Sequence, residues 1–206
     1  MTDHEQRTDE WHAARLGRVT ASRLGDVLAK PTTAAYRSYR AQLIAERLTG
    51  EAAETFTNAA MQWGVDTEDE ARRAYSFIAD RDVVETGFVD HPAIPMTGAS
   101  PDGLVGDEGL VEIKCPKTAT HIETITDGQV PLKYLRQMQW QMACTGREWC
   151  DFVSYDPRLP PHVRLWIKRV ERDDTMIANL ADAVTAFLAD VDQIIAALTN
   201  TREKAA

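Results

Sequence analysis

At about residue 80 the hydrophobic pattern of this chain changes period, and that change limits the folds open to it. Before it, apolar residues recur at helical spacing. Leu24, Val27 and Leu28 share one face of a short helix, with Ser22 as a candidate N-cap and Pro31 beyond its end. A second helix is expected over 34–49, with Tyr36, Leu43, Ile44 and Leu48 inward and Gly50 as its stop. A third is expected over 58–78, with Met61, Val65, Ala71, Ala74, Tyr75 and Ile78 as core positions. Beyond it, 82–90, 96–100 and 109–115 read as short extended segments separated by Pro and Gly. A helix over 132–144 follows, then strands over 149–155 and 163–170 joined by a turn-like DPRLPP. A long amphipathic helix over 173–198 closes the pattern, with Met176, Leu180, Val184, Phe187, Val191, Ile194, Ile195 and Leu198 on its apolar stripe. From residue 58 the order is helix, three strands, helix, two strands, helix, which predicts an α/β fold with a central mixed sheet flanked by helices. There is no internal repeat or linker tract, so residues 1–206 are expected to form a single domain.

Charge is unevenly placed. The formal net charge of −9 divides into +2 over residues 1–50, −10 over 51–110 and −1 over 111–206. An overall acidic chain is the wrong sign for a uniformly basic nucleic-acid surface. Carboxylates at the density of 51–110 suit a hard divalent cation, and the remainder reads as solvated surface. Composition therefore argues neither for nor against a DNA substrate. The three cysteines form no CxxC pair and read as buried or half-buried free thiols. No apolar run is long enough to span a membrane, and the polar N-terminus lacks the apolar centre of a signal peptide. A cytoplasmic location is expected.

The strongest local signal is Ser100-Pro101-Asp102-Gly103-Leu104 followed by Val111-Glu112-Ile113-Lys114-Cys115. Glu112 and Lys114 are two apart on a strand and share a face, while Val111 and Ile113 make the other face apolar. If the two segments pair as a hairpin, Asp102, Glu112 and Lys114 converge at its open end. Two carboxylates and the Ile113 carbonyl are a partial shell for Mg2+ or Mn2+. An ammonium beside that ion can position and polarise water and offset phosphate charge. This is phosphodiester chemistry. A surface hairpin carrying an ion pair has the same pattern, although charged groups on an embedded strand are costly unless partnered.

Three further segments fit. Glu68, within QWGVDTEDEAR, lies on the helix before the strands; Asp69 and Glu70 read as its solvated face. Arg15 with the Thr20 and Ser22 hydroxyls can hold a phosphate. Trp11 reads as a packing residue. Tyr134, Gln137 and Gln141 share one helical face, which suits contacts to a sugar-phosphate backbone or a plain polar helix edge.

Taken together, EWHAARLGRVTAS, QWGVDTEDEAR, GASPDGLVGDEGLVEIKCP, YLRQMQWQM, DFVSYDPR and IKRVERD resemble, in this order, the lambda exonuclease/YqaJ family of phage recombination nucleases, a branch of the PD-(D/E)xK superfamily. The likeness runs from residue 10 to about 174. It implies an αβββαβ nuclease core with added N-terminal helices and a long C-terminal helix. It implies a Mg2+-dependent 5′→3′ exonuclease (Mn2+ as the alternative ion) that degrades one strand of double-stranded DNA to mononucleotides and leaves a 3′ overhang. By position, Asp102 and Glu112 fall on the family's metal ligands, Lys114 on its catalytic lysine and Glu68 on its accessory glutamate. Arg15 and Ser22 fall on the pocket for the 5′-terminal phosphate. Gln137 and Tyr134 fall on the helix beside the catalytic centre, and Met61 on an apolar wedge between the strands. The family also implies a homotrimeric ring, whose exterior can be acidic, and a single-strand annealing protein as partner. Thr32 and Thr33 stand where a basic residue would grip the duplex; Arg37 and Arg40 are the nearest substitutes. The cysteines do not fit an iron–sulfur relative. The competing readings are a restriction- or repair-type endonuclease on the same core and a non-catalytic DNA-binding module.

Overall fold

The computed structural model describes residues 6–53 and 59–203, with side chains over 6–53 and 62–200. The N-terminal part holds α1 (Asp9–Arg15), β1 (Val19–Thr20), a 3-10 turn (Ala21–Arg23), α2 (Leu24–Val27) and α3 (Ala34–Thr49). Then come α4 (Ala59–Ala79), β2 (Val83–Val84), β3 (Val89–Asp90), β4 (Thr97–Ala99), β5 (Gly103–Val105) and β6 (Gly109–Lys114). The rest is α5 (Thr118–Asp127), α6 (Leu132–Thr145), β7 (Trp149–Tyr155), β8 (Leu165–Glu171) and α7 (Asp174–Glu203). No described helix is long and apolar enough to cross a membrane.

The main sheet has the order β2-β5-β6-β7-β8. Only β6 and β7 are parallel; the other neighbours are antiparallel. A parallel pair needs a crossover, which α5 and α6 provide. Every residue of β7 is buried, as befits an inner strand covered on both faces. The alternation along β6 sorts its side chains between two cores. Val111 and Ile113 pack with Ala71 and Tyr75 of α4, and Leu110 packs with Met138 and Met142 of α6. The sheet thus lies between α4 and α6, in the α/β class expected.

A third core joins the N-terminal helices to α6 and α7 through Leu24, Tyr39, Leu43, Trp140, Leu180, Val184 and Phe187. Tyr39 stacks on Phe187 with centroids 5.5 Å apart. Gly50 and Gly146 end α3 and α6 in the left-handed region that glycine adopts without strain, each at φ 73°. Helix α6 reaches four partners from three successive residues. Gln139 donates from Nε2 to the Glu171 carbonyl (2.8 Å), and its Oε1 accepts from the Asp173 N–H (2.8 Å). Trp140 donates to Thr97 Oγ1 (3.2 Å), and Gln141 donates to Glu112.

Several expectations change. The strands form two sheets, since β1, β4 and β3 make a separate three-stranded sheet. The expected strand over 82–90 splits into β2 and β3, one in each sheet, and 96–100 joins the smaller sheet. The core strand between β2 and β6 is Gly103–Val105. Ser22 lies inside the 3-10 turn and caps nothing. Leu48 and Ile78, read as core, are exposed in the last turns of their helices, and Val65 and, on the stripe of α7, Leu198 are exposed as well. Helix α1 has no buried residue, and hence no apolar stripe to reveal it. Helix α5, rich in β-branched residues of low helix propensity, is held by tertiary contacts. Its buried His121 bonds Ser154 Oγ (2.7 Å) and the Val163 carbonyl (2.9 Å).

Asp156 is buried where β7 ends. It accepts from Thr118 Oγ1 (2.6 Å), the Arg158 backbone N–H (3.0 Å) and the Arg158 guanidinium (2.7 and 2.9 Å). Burial acts to raise its pKa, but these donors outweigh it and bring it down to about 2. Asp156→Ala is expected to cost about 2 kcal/mol of stability, seen as a lower urea midpoint. A depressed carboxylate contributes stability above its unfolded pKa, so the difference between parent and variant should shrink as pH falls through about 2.

Candidate active site

The site forms where the β5–β6 hairpin opens. Pairing runs from Val105↔Gly109 to Gly103↔Val111, and Asp102 and Glu112 lie just beyond it. Past that point the Ile113 N–H donates to Asp102 Oδ2 at 2.6 Å. A side-chain carboxylate thus replaces the backbone acceptor that a continued ladder would supply.

Glu112 is fully buried on the α6 face of the sheet. Its Oε2 accepts from Gln141 Nε2 at 2.6 Å. Its Oε1 forms an ion pair with the Lys114 ammonium but receives no directed hydrogen bond. Burial, and then the Asp102 charge, push the Glu112 pKa up to about 7 against the pull of Lys114 and Gln141. For Lys114, burial acts to lower the pKa, but Glu112 and Asp102 outweigh it and the net shift is upward. The Lys114 ammonium stands 5.3 Å from the centre of the Tyr134 ring.

Glu68 reaches the same site from α4. It is held by Arg7 (2.6 Å) and Arg72 (2.9 Å), and Arg72 Nε also donates to the Asp102 carbonyl (3.3 Å). Burial and Asp102 raise the Glu68 pKa. The neighbouring Cys115 thiol is pushed up to about 12, first by burial and then by Glu68 and Asp102. Negative potential is therefore concentrated here, as a site for a hard cation requires. Among the described residues no three His, Cys, Asp or Glu side chains are grouped to hold a metal. The fit is that of Asp102 and Glu112, with a backbone carbonyl and water completing a shell of oxygens. The buried Glu112 Oε1, engaged only by the Lys114 ammonium, keeps acceptor capacity that such an ion would use.

Arg15 and Ser22 line a separate cleft with Trp11, Thr20, Arg23 and Tyr39. The Arg15 guanidinium lies 3.9 Å from the centre of the Trp11 ring. Burial lowers its pKa, opposed by Tyr39 and Glu46. Ser22 Oγ lies 3.4 Å from Thr20 Oγ1 and is exposed to the cleft. Trp11 Nε1 donates to Ser100 Oγ at 3.0 Å. That bond joins the cleft to the segment that carries Asp102, a link that reading Trp11 as a packing residue did not anticipate.

The structure brings Glu68, Asp102, Glu112, Ile113, Lys114 and Tyr134 together and places Arg15 and Ser22 in the linked cleft. Gln137 is half-buried on α6, one turn before Gln141. Gln141, which bonds Glu112, is the residue the sequence reading left out of the site. Its signal was its shared helical face with Tyr134 and Gln137. The Met61 side chain lies outside the described residues. Arg40 is anchored to Asp190 (2.7 Å), whereas Arg37 is exposed on α3.

A family model described as the YqaJ-like viral recombinase domain matches residues 10–148. The alkaline exonuclease LHK-Exo from Laribacter hongkongensis is 52% identical over 97% of this chain and 100% of its own, with a TM-score of 0.92. Its complex with dAMP matches with the same TM-score of 0.92. A phage related exonuclease from Haemophilus somnus 129PT, 17% identical over 88% of this chain and 96% of its own, shares the fold at a TM-score of 0.70. No curated protein matches the chain.

Proposed function

Since this chain belongs to the YqaJ-like viral recombinase family and is a DNA exonuclease, we propose that it digests duplex DNA 5′→3′ in a Mg2+-dependent reaction. The products are mononucleotides and a 3′ single-stranded overhang. One observation carries this polarity: the Arg15 cleft is bonded through Trp11 and Ser100 to the segment bearing Asp102. A terminal phosphate held by Arg15 and Ser22 leaves the next phosphodiester to the carboxylates and Lys114. The complex of the Laribacter hongkongensis relative with dAMP, a nucleoside monophosphate, supports that product class.

Asp102, Glu112 and the Ile113 carbonyl would hold the cation. When bound, Mg2+ supplies a Lewis acid for the phosphoryl oxygens and lowers the pKa of bound water. Lys114 offsets charge on the phosphate and orients the attacking water. Glu68 offers a second carboxylate to that water. Tyr134 and Gln137 line the approach along α6, and Met61 stands as the wedge between strands.

The proposed organisation is a single nuclease domain that assembles as a homotrimeric ring, works in the bacterial cytoplasm and cooperates with a single-strand annealing protein. A ring confines the positive potential that DNA requires to its channel and leaves the acidic balance of residues 51–110 to the exterior.

The test uses linear duplexes with 5′-phosphate or 5′-hydroxyl ends beside closed circles, with and without Mg2+. Linear 5′-phosphorylated DNA is expected to be digested fastest and closed circles not at all. Arg15→Ala should remove most of the preference for the 5′ phosphate, a loss of about tenfold to a hundredfold. Cutting of closed circles would overturn the exonuclease polarity and favour an endonuclease.

A further inference from the structure

Gln141 leaves half of its side chain unsatisfied, with no ion pair to compensate as Lys114 does for Glu112 Oε1. It is fully buried, its Nε2 donates to Glu112 Oε2 at 2.6 Å, and its Oε1 is buried without a partner. Buried polar atoms are normally paired, and an orphaned acceptor costs stability. Helix α6 has alternatives at hand: Met138 and Met142 occupy neighbouring buried positions against the same face of the sheet. An apolar side chain at 141 would fill a similar volume without the orphaned oxygen. Packing therefore does not account for the carboxamide.

We propose that Gln141 is a positioning residue for the cation site: it pins Glu112 Oε2 and so leaves Oε1, the oxygen that also pairs with the Lys114 ammonium, as the one that would face the ion. This inference rests on the metal-dependent reading above. A carboxylate has two equivalent oxygens and can bind one- or two-pronged. Engaging one of them with a short hydrogen bond fixes the plane of the group and selects the other. The donor is uncharged, so it orients Glu112 without supplying the positive charge that the ion must bring. Lys114 already pairs with the other oxygen, and a second cationic side chain here would compete with the ion. Helix α6 is a rigid source for this contact, because Gln139 and Trp140 anchor the same turn to β8, the start of α7 and β4. Partners that orient a metal ligand in this way govern affinity as well as rate.

The experiment compares Mn2+ binding, by calorimetry without DNA, in the full-length parent, Gln141→Met, Gln141→Asn and Glu112→Gln. Both Gln141 variants are expected to bind Mn2+ about tenfold to a hundredfold more weakly. Their digestion rates should recover towards that of the parent as Mn2+ is raised, with KM for DNA ends unchanged. Metal-free melting and circular dichroism select variants that keep the parental fold; Gln141→Asn retains the amide but withdraws it by one methylene, and it decides if Gln141→Met does not fold. Mn2+ affinities within about twofold of the parent in the folded Gln141 variants, with Glu112→Gln impaired, overturn the role of Gln141 alone. Unimpaired binding by Glu112→Gln overturns the cation site and this inference with it.

Discussion

Replacing Lys114 by Ala should slow phosphodiester hydrolysis about a thousandfold while leaving cation-supported DNA binding in place. Among the described residues the ammonium is the positive group paired with Glu112, and it is held charged by Glu112 and Asp102 despite its partial burial. On the proposed mechanism, its loss removes the group that offsets charge on the phosphate and orients water. It leaves Asp102, Glu112 and the Arg15 cleft intact, so the substrate is still held. Single-turnover digestion with saturating Mg2+, beside gel-shift binding in Ca2+, separates the two effects. Undiminished cutting would remove Lys114 from the chemistry. Weakened binding in proportion to the lost rate would make it a substrate contact instead.

Asp102→Asn is expected to reduce activity by about a thousandfold or more, and at the same time to stabilise the metal-free protein. The Asn retains an oxygen for the Ile113 N–H, so the open hairpin keeps its bond. What disappears is the negative charge that, second to burial, raises both Glu68 and Glu112. The direction with pH follows from Glu112. Its folded pKa of about 7 exceeds the unfolded carboxylate value, so its contribution to stability is full below the unfolded value and is lost as pH rises through about 7. The metal-free parent should therefore lose on the order of 1 to 2 kcal/mol between about pH 5 and 8, and Asp102→Asn should flatten that slope. Saturating Mg2+ should oppose the loss in the parent, because a bound dication favours the ionised carboxylate. Urea melts at three pH values, with and without Mg2+, measure all of this. A parent whose metal-free stability is flat across the window would show that Glu112 is already ionised there.

Much of this arrangement was legible in the chain because it depends on local periodicity. Glu112 and Lys114 share a face whatever the strand pairs with, and the short spacing from Asp102 to Glu112 allows little besides a hairpin. The face of α6 that meets the site was legible for the same reason. Which turn of that face meets Glu112 was not. Gln137 and Gln141 are equivalent by periodicity, and only the offset of the helix along the sheet, fixed by Met138 and Met142 in their core, places Gln141 at the carboxylate. The division into two sheets was hidden because β2, β3 and β4 are two or three residues long. Segments that short carry no record of their partners; pairing is decided by tertiary contacts. Helix α5 was missed because its propensity is poor and His121 holds it from within the fold.

Gln139, Trp140 and Gln141 are consecutive, so they leave the helix axis about 100° apart and clasp the approach to α7, the smaller sheet and the main sheet. A small roll or slip of that rod cannot favour one clasp without loosening the other two. The carboxylate that would face the ion is thus interlocked with the C-terminal helix and the smaller sheet. Its aim is a property of the whole assembly of layers, and a phosphate at the proposed site would meet a gauge set by contacts far from the reacting atoms.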